Sequence, residues 1–130
     1  MEGIAQTRTE YGSGNRRWLG DLHGLNSTEG GTLNGALFPA GTFPDGLVRS
    51  GTDLGRVTAS GLLGPYDNAA TDGRQTCVGH LVSDQVVTAT SRNDAALLNH
   101  GAVVRTYLPT GSGHDAAAEA DLPGIRYRNA

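Results

Sequence analysis

The sequence predicts a small, mostly-β (α+β) domain, a sandwich or barrel-like body with one short C-terminal helix and an extended N-terminal arm. Three observations predict it. Glycine fills 20 of 130 positions, about twice its usual ~7% share, which favours turns over long helices. Apolar residues come in short runs, as over 54–59 and 76–82, separated by clusters of Gly, Pro, Asp and Asn, the punctuation of a many-stranded fold. A single stretch, HDAAAEAD at 114–121, reads as a helix.

Residues 1–31 are polar and rich in glycine, with apolar residues scattered at Ile4, Tyr11, Trp18, Leu19, Leu22 and Leu25. No helical or strand period persists there, so this segment is read as the arm and residues 32–130 as the body. The stretch WLGDLHGL is too apolar for a solvated tail, and Trp18 stands beside Arg16 and Arg17. Tryptophan and arginine are favoured interface anchors, so the arm is expected to order on a partner.

In the body, a first strand is expected over 32–38, followed by turn residues Pro39, Gly41, Pro44, Asp45 and Gly46. A second opens at Leu47 and Val48. Ser50-Gly51 turns into a third over 54–59. The loop holding Gly61, Gly64, Pro65, Asp67, Asn68, Asp72 and Gly73 leads to a strand over 76–82. Glycine supplies positive φ, proline fixes φ, and Asp and Asn bond their own backbone, so this loop is built to hold a shape. Further strands are expected over 86–90 and 102–108, and 95–99 fits strand or helix alike. Ser112 is the expected N-cap of the helix, with Asp115 near its positive end. Pro123-Gly124 stops it, and 125–127 closes the domain as a strand. The expected core is Leu47, Val48, Leu54, Val57, Val78, Leu81, Val82, Val86, Leu97, Leu98, Val103, Val104, Leu108, Leu122 and Ile125.

Composition excludes several functions. The net charge is −3 and every basic residue is arginine. A mildly acidic chain is poorly suited to nucleic acid, and without lysine there is no Schiff base or P-loop. The one cysteine, Cys77, allows no internal disulfide and is expected as a small buried hydrophobe. The first twenty residues lack the apolar run of a signal peptide, and no stretch approaches the ~20 apolar residues of a membrane span. A soluble protein made in the cytoplasm is expected.

Candidate chemistry is sparse. Asp67, Asn68 and Asp72 share a loop but miss the EF-hand spacing, so Asx turns are the better reading than calcium. His23, His80, His100 and His114 form no i, i+4 pair, and none stands at a zinc-finger spacing from Cys77. His80 is read as a satisfied strand residue and His100 as exposed. Ser112, His114 and Asp115 are the residue types of a triad, yet neighbours on one turn do not make the nucleophile–base–orienter chain. No catalytic residue, metal or cofactor is assigned, and an enzyme is not expected.

One long pattern, SGTDLGRVTASGLLGPYDNAATDGRQTCVGHLV, resembles the head decoration proteins of tailed bacteriophages, the lambda-type capsid-stabilising family. The strand at 50–58, the GPYD loop at 64–67, the ATDGR turn at 70–74 and the following TCVGHLV carry the resemblance. It continues through AALLNHGAVVRTYLP and DAAAEADLPGIRY. The resemblance implies a virion structural protein on the exterior of the capsid. It would bind the major capsid protein lattice, as a homotrimer, and stabilise the expanded, DNA-filled head. It also implies an arm that adds a strand to a capsid sheet, for which Arg16, Arg17, Trp18, Leu19, Leu22 and Leu25 are the candidate capsid-binding residues. No nucleic-acid or membrane partner is implied. A small glycan- or receptor-binding module is the alternative, though the chain has one Trp, two Phe and four Tyr to offer such a site.

Overall fold

A computed structural model describes residues 15–130. Five strands close a barrel in the order β1-β4-β3-β5-β7. These are β1 (Glu29–Asn34), β3 (Asp53–Arg56), β4 (Leu63–Pro65), β5 (Cys77–Leu81) and β7 (Arg92–Leu98). Neighbours run antiparallel except β1 and β4, which meet in parallel at Leu33↔Leu63. Two small ribbons flank the barrel. One pairs β2 (Leu47–Val48) with β6 (Gln85–Val86), and the other pairs β8 (Gly101–Val104) in parallel with β9 (Ile125–Arg128). The helix α1 (Ala116–Asp121) precedes β9. A mostly-β body with one short C-terminal helix is therefore what the chain forms.

The register sorts the side chains. Leu81 and Leu97 are partners across β5 and β7, and the adjacent pair is His80 and Leu98. Side chains alternate faces along a strand, so the two pairs point to opposite sides of the barrel wall. Leu81 and Leu97 join Leu33, Phe38, Phe43, Val48, Leu54, Leu63 and Val87 in one wholly apolar cluster inside. Leu98 joins Trp18, Tyr66, Cys77, Val82, Val103, Ala118, Leu122 and Ile125 in a second cluster outside. The helix, the β8–β9 ribbon and the segment from Asn15 onward cover that outer layer.

Several expectations are corrected. The division at residue 31 falls inside β1, where Gly30 and Gly31 pair with Ala96 and Ala95, and Trp18 is fully buried. Residues 15–31 thus pack on the body, and residues 1–14 of the expected arm lie outside the described residues. Asp115, not Ser112, caps α1: its Oδ1 accepts the Ala118 N–H at 2.8 Å. Ser112 instead accepts the His114 N–H. The strand expected over 86–90 is only Gln85–Val86. There the outward residue is Val86, 39% exposed, while Val87 is buried. A one-residue error in phase reverses the faces. Leu47, Val57, Val78 and Leu108 are half-buried; the other ten expected core residues are buried.

Candidate functional site

The expected capsid-binding residues are distributed very differently from an exposed arm. Arg16 reaches into the body, where Nε donates to the Val82 carbonyl at 3.0 Å and Nη2 to Ser83 Oγ. The Arg17 guanidinium lies over the Tyr107 ring, 4.2 Å from its centre. Trp18 Nε1 donates to Ser50 Oγ at 3.1 Å, and that hydroxyl donates to the Val82 carbonyl at 2.6 Å. Leu19 forms an isolated bridge with Val103, reinforced by Val104 N–H to Trp18 O at 2.7 Å. Leu25 packs against the outer cluster, and Leu22 is 71% exposed.

Trp18, expected as an interface anchor on the arm, is therefore a core residue of the body. Two glycines let the segment sit this close. Gly51, at φ +99°, brings backbone to the indole, where a Cβ would stand 3.0 Å from Trp18 Cδ1. A Cβ on Gly24 would strike the His100 carbonyl. A tryptophan among glycines is the signal that could have been read as close packing.

Beside the indole lies a polar network that the sequence reading did not assemble. Asp53 on β3 and His80 on β5 are directly opposed across the strands, and both are wholly buried. The loop ahead of α1 brings His114 to the same carboxylate, with Nδ1 2.8 Å from Asp53 Oδ2. His114 Nε2 lies 2.9 Å from Glu119 Oε2 on the helix. Arg105 holds Glu119 from two nitrogens, Nη2 to Oε1 at 2.8 Å and Nε to Oε2.

His80 Nδ1 is 3.0 Å from the Gly51 carbonyl, and its Nε2 is 2.7 Å from Tyr127 Oη. A carbonyl only accepts, so Nδ1 carries the proton and Nε2 accepts from the tyrosine. Asp53 Oδ1 is 2.9 Å from the same Nδ1. The N–H engages the carbonyl, and Oδ1 is the buried oxygen left without a hydrogen bond among the described residues.

Charges in the network support one another. Burial opposes the Asp53 carboxylate, but the hydrogen bond from His114 and the His80 imidazole beside it outweigh that cost and hold its pKa below the usual value. Burial likewise opposes a charged His114, and Asp53 and Glu119 together raise its pKa. The Arg105 guanidinium, with His114 behind it, holds Glu119 down to about 2. Burial first, then Asp53, pushes the Tyr127 phenol up.

The remaining candidates resolve simply. Cys77 is buried, as expected, and burial raises its thiol pKa. Asp67 Oδ1 accepts the Ala69 N–H and Asp72 Oδ1 the Arg74 N–H, so both make the expected Asx turns. His80 is the satisfied strand residue expected, and His100 is exposed. Sequence reading took each histidine alone; only the register joins His80 to Asp53.

The described residues thus form a closed five-stranded barrel whose outer face is covered by the helix, the β8–β9 ribbon and the segment from Asn15. A sequence model of the family described as Bacteriophage lambda head decoration protein D matches residues 19–123, and the chain belongs to that family. No curated protein sequence matches it. It is thus a structural protein of the phage head, associated with the capsid of the virion.

Proposed function

We propose that the protein binds the outer surface of the head through the major capsid protein, as trimers, and holds the expanded, DNA-filled shell together. Family membership over residues 19–123 carries this reading. Residues 1–14 serve as the grip and residues 15–19 as its root. Arg16 is tied to Val82, Trp18 is buried, and Leu19 bridges Val103, so a pull on the arm is borne by the core.

The arm adds a strand to a capsid sheet, where backbone hydrogen bonds give grip and side-chain pockets give register. Three arms on one trimer turn modest single contacts into tight binding. Of the six candidate residues, Arg17 and Leu22 are exposed and suit direct contact, whereas Arg16, Leu19 and Leu25 suit positioning of the root. Expansion is the switch, because it creates the capsid edge with which the arm pairs.

The test mixes the purified full chain, and a form beginning at Asn15, with undecorated expanded and unexpanded heads. Co-sedimentation and resistance to heat, chelator and osmotic shock are measured. The full chain should bind and protect expanded heads only. The shorter form should fold, since Trp18 and β1 are intact, and should fail to bind. Equal binding by the shorter form overturns the arm mechanism, and no binding by either form overturns the reading.

A further inference from the structure

We propose that Asp53, His80 and His114 form a site for a divalent transition-metal ion of zinc type, which ties β3, β5 and the segment ahead of α1 together. Three segments distant in sequence deliver one carboxylate and two imidazoles, with ligand atoms all within 4.8 Å of one another. Two imidazole nitrogens and a carboxylate oxygen are a zinc donor set. The Gly51 carbonyl, 3.0 Å from His80 Nδ1, is the nearby oxygen that would serve as the fourth donor.

Two further observations separate this site from an ordinary buried ion pair. The first is Asp53, wholly buried, whose Oδ1 lacks a hydrogen bond although it faces the cluster. A cation between Oδ1 and the two Nδ1 atoms satisfies that oxygen. The second is the far side of each ring. Metal-bound histidine almost always donates its other N–H to an oxygen, which fixes tautomer and orientation. His114 Nε2 faces Glu119 at 2.9 Å, and His80 Nε2 faces Tyr127 Oη at 2.7 Å. Arg105 in turn fixes Glu119.

Binding needs a tautomer change at His80, from Nδ1–H to Nε2–H, with Tyr127 Oη becoming the acceptor, and release of the His114 Nδ1 proton to solvent as the ion takes its place. The liganding nitrogens and carboxylate oxygens now stand 2.8–2.9 Å apart, so they spread by a few tenths of an ångström to admit the ion. Entry is by the His114 edge, where that side chain is 9% exposed and Glu119 is 23% exposed.

The experiment strips the full chain with chelator, then adds Zn²⁺ alone or Co²⁺ alone, followed by gel filtration and metal analysis. One ion per chain should be retained, and Co²⁺ should give the visible bands of a four-coordinate centre. At an ion concentration of about 100 Kd, the melting temperature should rise on the order of 5–10 °C. His114→Gln should lose uptake, and Glu119→Gln should weaken it about 10–100-fold. His100→Ala should leave it unchanged.

Absence of retained metal in the wild-type chain overturns the proposal. So does uptake that survives in both His114→Gln and His80→Asn, or that disappears in His100→Ala. If the ligand variants fail to fold, the wild-type cobalt spectrum decides: octahedral bands, or none, reject the site.

Discussion

The two sides of the barrel wall are built on different principles. Inside, Leu33, Leu54, Leu63, Leu81 and Leu97 are fully buried and pack with Phe38, Phe43, Val48 and Val87 in one apolar cluster. Dispersion and the hydrophobic effect hold that side, and neither is directional. Outside, Trp18, Leu98 and Val103 share their layer with Ser50, Asp53 and His80, all buried and polar. There each group depends on a named partner at a set distance. The inside therefore tolerates a change of shape better than the outside tolerates a change of partner.

The largest test of that contrast is Asp53→Ala, made in chelator-treated protein. It removes the buried carboxylate that His114 Nδ1 bonds, and breaking a buried ion pair by deleting one partner costs about 3–5 kcal/mol. Urea unfolding should show the midpoint falling by that amount with an unchanged slope. Leu54→Ala, one residue along the same strand but facing inward, should cost about 3 kcal/mol from lost transfer energy and a cavity. Cavity-filling Leu54→Met should cost less than about 1.5 kcal/mol. If Leu54→Met is as damaging as Asp53→Ala, the contrast between the two sides is wrong.

A finer test is Tyr127→Phe. It keeps the ring against His80 and His114, with centroids at 5.7 and 4.9 Å, and removes only the hydroxyl. The His80 Nε2 acceptor is then unpaired in a nearly dry site, a loss of about 1–2 kcal/mol. Thermal unfolding against wild type measures it. A change near zero would mean water replaces the hydroxyl.

Apolar residues of both sides were partly legible in the sequence, Val82, Leu98, Val103, Leu122 and Ile125 outside as well as four leucines and valines inside; the polar network of the outer side was not. Val48, Leu54, Leu81 and Leu97 stand in short apolar runs, and such runs announce burial without any knowledge of partners. Leu33, Phe38, Phe43 and Leu63 escaped because each stands singly or in a pair among Gly, Pro, Thr and Ala, where no period can form. β4 escaped with Leu63, since three residues, Leu63–Pro65, inside a turn-rich loop carry no strand signal. The outer network is a product of register: Asp53 opposes His80 only because of how β3 pairs with β5. His114 joins them from 61 residues away. Trp18 was misread for the same reason. It stands beside Arg16 and Arg17 in an aperiodic stretch, and its packing partners, Ser50 and Val103, are contributed by other elements.

The smallest expected effect on stability, and the sharpest on function, belongs to Leu22. It lies in the same stretch as Trp18, WLGDLHGL, and the sequence gives the two equal standing. The fold does not: Trp18 is 0% exposed and Leu22 is 71% exposed. A leucine in water contributes little to folding, so Leu22→Ala should change unfolding free energy by about 0.5 kcal/mol or less. An exposed apolar side chain next to a root that leads into the arm is suited to burial against a partner. Full burial of a leucine is worth about 1.5–3 kcal/mol, and three copies per trimer multiply a weakened contact into a visible loss. Head binding by Leu22→Ala, measured by co-sedimentation against a concentration series, should therefore fall by at least tenfold while the unfolding curve stays in place. If binding is unchanged, Leu22 is not a capsid contact. If the unfolding curve moves as well, Leu22 contributes to folding, and the separation drawn between the two residues fails.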